Sequence, residues 1–370
     1  MPEVKSAFGI SDALAGFTFS VSLFIIAFAT LVYGSLSDRY GRRPLLLAGI
    51  LLFTAGSIVS ALATSVTGLI AGRVLQALGA GSSGGLTRAI ARDAYGTERL
   101  VKIIAYLTMA YALGPMIAPV VAGLLVDSTG WRGAFWFAAI CGALIAIAAY
   151  TVLYETHAPE HRVEKGSGFL RDYLRLFSHL RFIAFVLQSG FSTGCFFAMG
   201  ASSAFLMQQY LGRSASEFGM YFLLFPVGYF LGNLVSSRIS HRFGIENMVL
   251  AGSALNLLAV SSQSALLLSG YVTPPVLFVP GFLITFGQGL ALPNTQVGAM
   301  RVIPSLSGTA SGIGAFCQMF LGAMLAQTYA WLADGTPIPM VITVGTASIM
   351  TFAMGVIPFA LKIHTAPARI

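Results

Sequence analysis

The chain of 370 residues carries too few charged side chains to cover the surface of a water-soluble protein. Charged residues make up 9% of the sequence and hydrophobic residues 56%, whereas an ordinary soluble domain is roughly 25% charged. The net charge is +8, but the basic residues lie between apolar runs, which argues against nucleic acid as a partner. The composition therefore predicts a protein whose solvent is the lipid bilayer.

Apolar runs separated by charged or Pro/Gly-containing turns follow one another along the whole chain. A span needs about 20 mostly apolar residues to cross ~30 Å of hydrocarbon, and it must be helical because lipid offers the backbone no hydrogen bonds. The sequence therefore predicts an all-α, polytopic membrane protein with eleven spans. The predicted spans are residues 13–36, 45–64, 67–88, 100–125, 132–154, 182–207, 217–238, 245–269, 276–298, 308–332 and 338–361.

One long polar segment, Glu155 to His179, separates the first five spans from the last six. Its charged, Gly and Ser residues are typical of a solvated linker, and its amphipathic stretch FLRDYLRLF is expected to lie at the membrane interface. We therefore expect an N-terminal helix bundle at residues 1–154, a cytoplasmic linker at 155–180 and a C-terminal helix bundle at 181–370.

The distribution of Lys and Arg predicts the orientation of the spans. When the connections are assigned alternately to two sides, all Lys and Arg fall on one side except Lys5, Arg132, Arg213 and the intramembrane Arg73. Positive residues stay cytoplasmic, so the linker and the C-terminus are predicted to face the cytoplasm. An odd number of spans places Met1 on the outer side.

The turn YGSLSDRYGRR, Tyr33 to Arg43, concentrates charge between two apolar runs. It resembles the loop signature G-x-L-x-D-R-x-G-R-R between the second and third helices of major facilitator superfamily transporters. The interpretation is a cytoplasmic gating motif, in which Asp38 forms part of a latch that closes the cytoplasmic side. The alternative is that the arginines only follow the positive-inside rule. The motif residues are Gly34, Asp38, Arg39, Gly41, Arg42 and Arg43.

A partial echo of this signature occurs in the second half, in GNLVSSRISHRFG. It retains Gly232, Arg238, Arg242 and Gly244 but has no acid at the position of the aspartate. Two related halves are typical of transporters built from repeats, with a substrate site near the membrane midplane. The resemblance implies the major facilitator fold of two pseudo-symmetric helix bundles.

Three further stretches narrow the resemblance to the Bcr/CflA subfamily, the bicyclomycin/chloramphenicol resistance drug:proton antiporters. RVLQALGAG resembles the fourth-helix motif, ALGPMIAPVVAG the Gly-Pro motif of the fifth helix, and GWRGAFWF and ETH the two ends of the sixth helix. Gly114 and Pro115 are expected to bend the fifth helix, because proline removes a backbone hydrogen bond. The small residues of this helix are expected to pack against neighbours, and the resemblance implies an added role in limiting leak at the motif residues. These are Gly114, Pro115, Pro119 and Gly123.

The resemblance also predicts a twelfth span. Family members have twelve spans with both termini cytoplasmic, and the segment MPEVKSAFGIS is similar to the residues just after their first helix. The chain is therefore expected to lack the first helix and the aspartate it carries. Two explanations of the missing helix are considered: the start of the chain has been placed too late, or the chain is a truncated product. The late start is favoured.

Arg73 is the one ionisable side chain expected well inside a span, and Gln76 shares its helix face. The resemblance implies that this pair assists proton or substrate movement. The alternative is a structural arginine that donates to backbone carbonyls of a neighbouring helix. No Asp, Glu or His is expected to be buried in any span, so the sequence identifies no proton carrier.

Amides and aromatic residues within the later spans are candidates for a substrate cavity. A large apolar cavity with few polar anchors suits lipophilic, structurally varied compounds. Any one amide could instead form a hydrogen bond between helices. The candidates are Gln188, Phe191, Asn233, Gln288, Asn294 and Gln318.

The resemblance implies a secondary active transporter of a bacterial inner membrane that exports toxic compounds by proton antiport with alternating access. Its expected partners are small lipophilic substrates, protons and the bilayer, and it is expected to be a monomer. It is expected to be no enzyme and to need no cofactor or metal, because the proton gradient supplies the energy. The alternatives are a proton-linked uptake symporter for a small metabolite and a non-transporting, truncated membrane protein.

Overall fold

The computed structural model describes residues 2–365 except 85, 88, 92, 95–113, 115–116, 157–168 and 304–305. Regular structure in the described residues is entirely helical, as the composition predicts. The helices are α1 Pro2–Phe8, α2 Asp12–Tyr40, α3 Arg42–Leu62, α4 Val66–Gly81, α5 Ile117–Thr129, α6 Trp131–Val152, α7 Phe169–Phe177, α8 Leu180–Phe205, α9 Ala215–Phe222, α10 Leu224–Phe243, α11 Ile245–Leu268, α12 Pro274–Val302, α13 Ser307–Leu332 and α14 Ile338–Thr365.

Nine helical segments of the described chain are long and apolar enough to cross a membrane, and α4 and α5 are shorter apolar helices. Much of the span predicted at 100–125 lies outside the described residues. Four predicted ends fall short, because α2 continues past residue 36, α10 past 238, α12 past 298 and α14 past 361. A helix satisfies its own backbone hydrogen bonds, so it can continue beyond the hydrocarbon core into polar sequence.

The outer faces of the helices are apolar. Leu51, Leu144, Ile147 and Leu258 are each more than half exposed. Burying apolar surface is worth about 25 cal/mol per Å² in water, so such a surface needs lipid around it. The protein is therefore a multi-pass membrane protein.

The chain divides into two compact units, Met1–Ser167 and Gly168–Ile370. The division falls inside the segment expected to be a linker. In the first unit α3 packs against α4 and α6, and α2 packs against α4. A methyl group on Gly56 would meet the backbone of α4 at Gln76, and one on Gly72 would meet Ser60 of α3. These glycines bring α3 and α4 into backbone contact, as small residues do between membrane helices.

The second unit is organised around α8 and α12. Helix α8 packs against α12, α13 and α14, and α12 also packs against α10 and α11. The amphipathic stretch forms α7, and its Leu176 is fully buried against a cluster that includes Phe182 and Phe185. Leu174 and Phe177 of the same helix are exposed. Helix α7 is therefore anchored to the end of this bundle and keeps an apolar outer face.

The charged turn and its echo have the same backbone conformation. Gly41 lies between α2 and α3 with φ 99° and ψ 159°, and Gly244 lies between α10 and α11 with φ 84° and ψ 162°. The N–H of Gly41 donates to the carbonyl of Ser37, and the N–H of Gly244 donates to that of Ser240. A positive φ of this kind favours glycine. The two sequence motifs therefore build equivalent turns in the two units.

We expect Gly232→Ala to destabilise the second unit. A methyl group there would meet the carbonyl of Phe286 on α12, and overpacking of this kind costs about 1–3 kcal/mol. Thermal unfolding of the purified protein in detergent checks this. Gly345→Ala is the matched control, because a methyl group there meets nothing within 4 Å and alanine favours the helix. Equal unfolding midpoints for the two variants would contradict the packing argument.

Candidate functional site

The charged turn holds a buried ion pair. Arg42, the first residue of α3, is 3% exposed. Its Nε lies 3.2 Å from Oδ2 of Asp93, in the helical stretch that follows α4, and its Nη1 donates to the hydroxyl of Ser37. The guanidinium thus links the last turn of α2, the start of α3 and the chain after α4.

A carboxylate from a distant part of the chain caps the start of α3. The two carboxylate oxygens of Glu155 accept from the backbone N–H groups of Arg42, at 3.0 Å, and Arg43, at 3.2 Å. Such a carboxylate satisfies two unpaired donors and stabilises the positive end of the helix dipole. Because Arg43 also donates to the carbonyl of Tyr150, at 2.9 Å, the beginning of α3 is tied to the end of α6.

The remaining residues of the predicted gating motif are described only in their backbone. Gly34, Asp38 and Arg39 lie in the last turns of α2, and their side chains are outside the described part of the structure. The latch contact of Asp38 therefore stays a prediction.

Arg73 takes part in a hydrogen-bond chain across three helices. Its Nε donates to the carbonyl of Thr18 on α2, at 3.1 Å, and its Nη1 to Oε1 of Gln76, at 2.8 Å. The Nε2 of Gln76 donates in turn to the hydroxyl of Ser57 on α3, at 2.9 Å. The guanidinium carbon also lies 5.7 Å from the ring centre of Phe135 on α6.

These contacts match the structural interpretation of Arg73, in which the arginine donates to a backbone carbonyl of a neighbouring helix. None of the described carboxylates is within ion-pair distance of Arg73. The positive charge is thus stabilised by neutral acceptors and an aromatic face, a favourable arrangement for a cation. Its role in proton or substrate movement stays a prediction.

The predicted fifth-helix motif is described in part. Pro115 lies outside the described residues, and Gly114 is helical and exposed. Pro119 and Gly123 lie in α5, with Pro119 half-buried and Gly123 buried. The bend expected at Gly114 and Pro115 therefore stays a prediction.

Two of the predicted cavity amides join helices of the second unit. Gln188 is fully buried on α8, where its Nε2 donates to Ser253 of α11 and its Oε1 accepts from Thr295 of α12. Asn294 on α12 donates to the hydroxyl of Ser236 on α10 and to the carbonyl of Leu290. These amides use their donors within the bundle.

The other cavity candidates make fewer contacts. Asn233 donates to the carbonyl of Tyr229 on its own helix, and Phe191 is half-buried. Gln288 makes a long hydrogen bond of 3.4 Å to Thr193. The Nε2 of Gln318 is buried without a hydrogen-bond partner. Within the described residues, no hydrogen bond joins two of the six candidates.

The expectation that no acid is buried in a span is wrong. Glu246, in the first turn of α11, is 7% exposed and forms an ion pair with Arg181 on α8. An acid just after the helix-starting Gly244 is typical of a helix N-terminus, but this pattern does not indicate that the side chain is buried or paired. The pairing of Arg42 with Asp93 and the cap formed by Glu155 had no sequence signal, since these partners are far apart along the chain.

No group of three His, Cys, Asp or Glu side chains suited to a metal ion occurs among the described residues. Arg42, Asp93 and Glu155, which are described at the charged turn, are paired with each other or with a helix end. These contacts order the ends of helices α2, α3 and α6.

Three features of this membrane protein fit one class of transport protein. It has two helix bundles, the basic turns of the two bundles are equivalent, and the α2–α3 connection holds an ion pair. The family model described as Major Facilitator Superfamily matches residues 1–327. The chain belongs to the major facilitator superfamily, and it is a membrane transporter of that fold.

Individual relatives are more distant. A bicyclomycin resistance protein homolog of Haemophilus influenzae is 23% identical over 94% of this chain and 88% of its own length. Multidrug resistance protein D of Escherichia coli is 30% identical over 80% of this chain and 76% of its own length. The solved structure of the xylose transporter XylE from Escherichia coli has a TM-score of 0.72 at 15% identity, covering 99% of this chain and 92% of that one. At so low an identity, this similarity shows only that the two proteins share a fold.

We expect Glu155→Gln to destabilise the start of α3, because the neutral amide offers one acceptor where the carboxylate offers two charged ones. Loss of such a cap costs about 1 kcal/mol, so the thermal unfolding midpoint of the purified protein should fall. Glu217→Gln is the control, because Glu217 in α9 is partly exposed and pairs at 3.7 Å with the exposed Arg213, which precedes the helix, and ion pairs of this kind contribute little. A Glu155→Gln midpoint equal to that of the control would show that the cap does not stabilise the fold.

Proposed function

We propose that the protein exports lipophilic toxic compounds across a bacterial inner membrane in exchange for protons. The observation that carries this proposal is the similarity to multidrug resistance protein D, at 30% identity over 80% of this chain. The likeness to a bicyclomycin resistance protein homolog over 94% of the chain supports export of a toxic compound. The proton gradient would be the only energy source, and the monomer the working unit.

The basic residues support an orientation with the Gly41 and Gly244 turns, the linker and the C-terminus in the cytoplasm. Both turns are flanked by arginines, and Lys and Arg are retained on the cytoplasmic side of a membrane. In this orientation the Arg42–Asp93 pair and the Glu155 cap lie at the cytoplasmic end of the first unit.

We propose that these contacts keep the cytoplasmic ends of α2, α3 and α6 moving as one piece during alternating access. Buried charge pairs are costly to break because each partner is left unpaired. Asp38 would supply the separable contact of the latch, while Arg42, Asp93 and Glu155 stay paired.

Gln318 and Gln288 are the amides whose contacts leave them most available to a substrate. The Nε2 of Gln318 is buried without a partner, and an unsatisfied buried donor costs about 1–3 kcal/mol. A substrate with one carbonyl or ether oxygen could accept from it and recover that cost. The fully bonded Gln188 and Asn294 would instead hold the helices that form the walls.

The direction of transport is tested by drug accumulation in bacterial cells that lack their own efflux pumps and express this chain. We expect low accumulation of bicyclomycin in energised cells and a rise when a protonophore collapses the gradient. Cells with the empty vector are the control and should show no protonophore-dependent rise. Accumulation that falls on adding the protonophore would indicate uptake by symport, and no difference from the empty vector would indicate a chain that does not transport.

We expect Asp38→Ala to reduce drug efflux several-fold without preventing insertion into the membrane. The backbone of Asp38 lies in the last turn of α2 beside the Gly41 turn, where an acid can interact with arginines or a helix N-terminus. Efflux rates should be normalised to the amount of protein in the membrane fraction. Arg213→Gln, a change at an exposed ion pair, is the control. Wild-type efflux in Asp38→Ala would remove the latch from the mechanism.

A further inference from the structure

A cleft of about 840 Å³ opens in the second unit where α10 turns into α11. Four cationic or titratable basic side chains line it, and they come from three helices and the residue before α8. These are His179, Arg181, His241 and Arg301. Asn294, which joins α12 to α10, also lines the cleft, and the proposed transport cycle assigns no substrate contact to the four basic side chains.

The charge in the cleft is predominantly basic. Glu246 is the acid among the lining residues, and it is buried and already paired with Arg181. This pair leaves His179, His241 and Arg301 without a described carboxylate partner, and all three side chains are exposed. A cleft with surplus cationic donors attracts an anion.

The equivalent turn of the first unit shows that the start of the helix after such a turn can bind an anionic group. There the N–H groups that follow Gly41 donate to the Glu155 carboxylate, which comes from the chain just after α6. In the second unit Gly244 has the same conformation and no side chain with which to cap α11.

We propose that this cleft binds the phosphate group of an anionic ligand. Arg301 and His241 would donate to the phosphate oxygens, and the first N–H groups of α11 would face the same oxygens, as helix N-termini do with phosphates. The volume exceeds that of phosphate alone, so the ligand is either an anionic phospholipid headgroup or a soluble phosphate compound. A bound phosphate would connect α10, α11 and α12 at one end of the bundle.

The experiment measures the thermal unfolding midpoint of the purified full chain in detergent. One arm titrates short-chain phosphatidylglycerol, a second titrates inorganic phosphate, and a third titrates sodium chloride at matched ionic strength. The proteins are wild type, Arg301→Gln, His241→Gln and the control Arg213→Gln. Arg213 is an exposed arginine of the same unit, beyond the far end of α8 and outside the cleft.

We expect phosphatidylglycerol, phosphate or both to raise the wild-type and Arg213→Gln midpoints beyond the chloride arm. Half-saturation should need about tenfold more ligand in Arg301→Gln, and more ligand also in His241→Gln, since a charge-assisted hydrogen bond is lost in each. A response to the lipid alone assigns a headgroup site, and a response to phosphate assigns a soluble ligand. The proposal is overturned if neither ligand exceeds chloride, or if the cleft variants respond as Arg213→Gln does. Because the readout needs no drug transport, its failure is separate from failure of the efflux proposal.

Discussion

The hydrocarbon core offers no hydrogen-bonding partner, and the rest of the structure follows from this. Backbone groups are satisfied by helices, and most polar side chains between the helices bond to one another or to backbone carbonyls. The chain Arg73–Gln76–Ser57 in the first unit and the chain Ser253–Gln188–Thr295 in the second show this. Close approach of the helices allows these short contacts, and in the first unit it depends on glycines such as Gly56.

Charge is concentrated where helices leave the membrane, and the two units use it differently. The first unit caps α3 with Glu155, which is drawn from the chain after α6. In the second unit Glu246, within the first turn of α11, pairs with Arg181 at the start of α8. The same glycine turn is therefore embedded in two electrostatic environments. One is closed by an internal carboxylate and the other opens into a basic cleft.

The spans were predictable because their signal is local, a run of apolar residues long enough to cross the bilayer. The turns at Gly41 and Gly244 were also predictable, since a positive φ requires glycine and the arginines mark the ends of helices. The partners of the charged groups were not predictable. Asp93 and Glu155 lie 51 and 113 residues from Arg42, and nothing local indicates that they meet it. The burial of Glu246 in the predicted span 245–269 contradicts the expectation of no buried acid, and it depends on Arg181, which comes from another helix.

The sequence by itself determined that this protein crosses the bilayer many times, that its helices are joined by basic turns, and that it carries the signatures of its superfamily. These properties depend on hydropathy and on residues adjacent in the chain. Only the tertiary structure decided which polar groups pair with one another. It showed that Gln188 and Asn294 join helices, that Gln318 has a buried donor without a partner, and that basic residues from separate helices surround one cleft. The reason is geometric: pairing depends on which helix faces meet, and these are set by packing across the whole bundle.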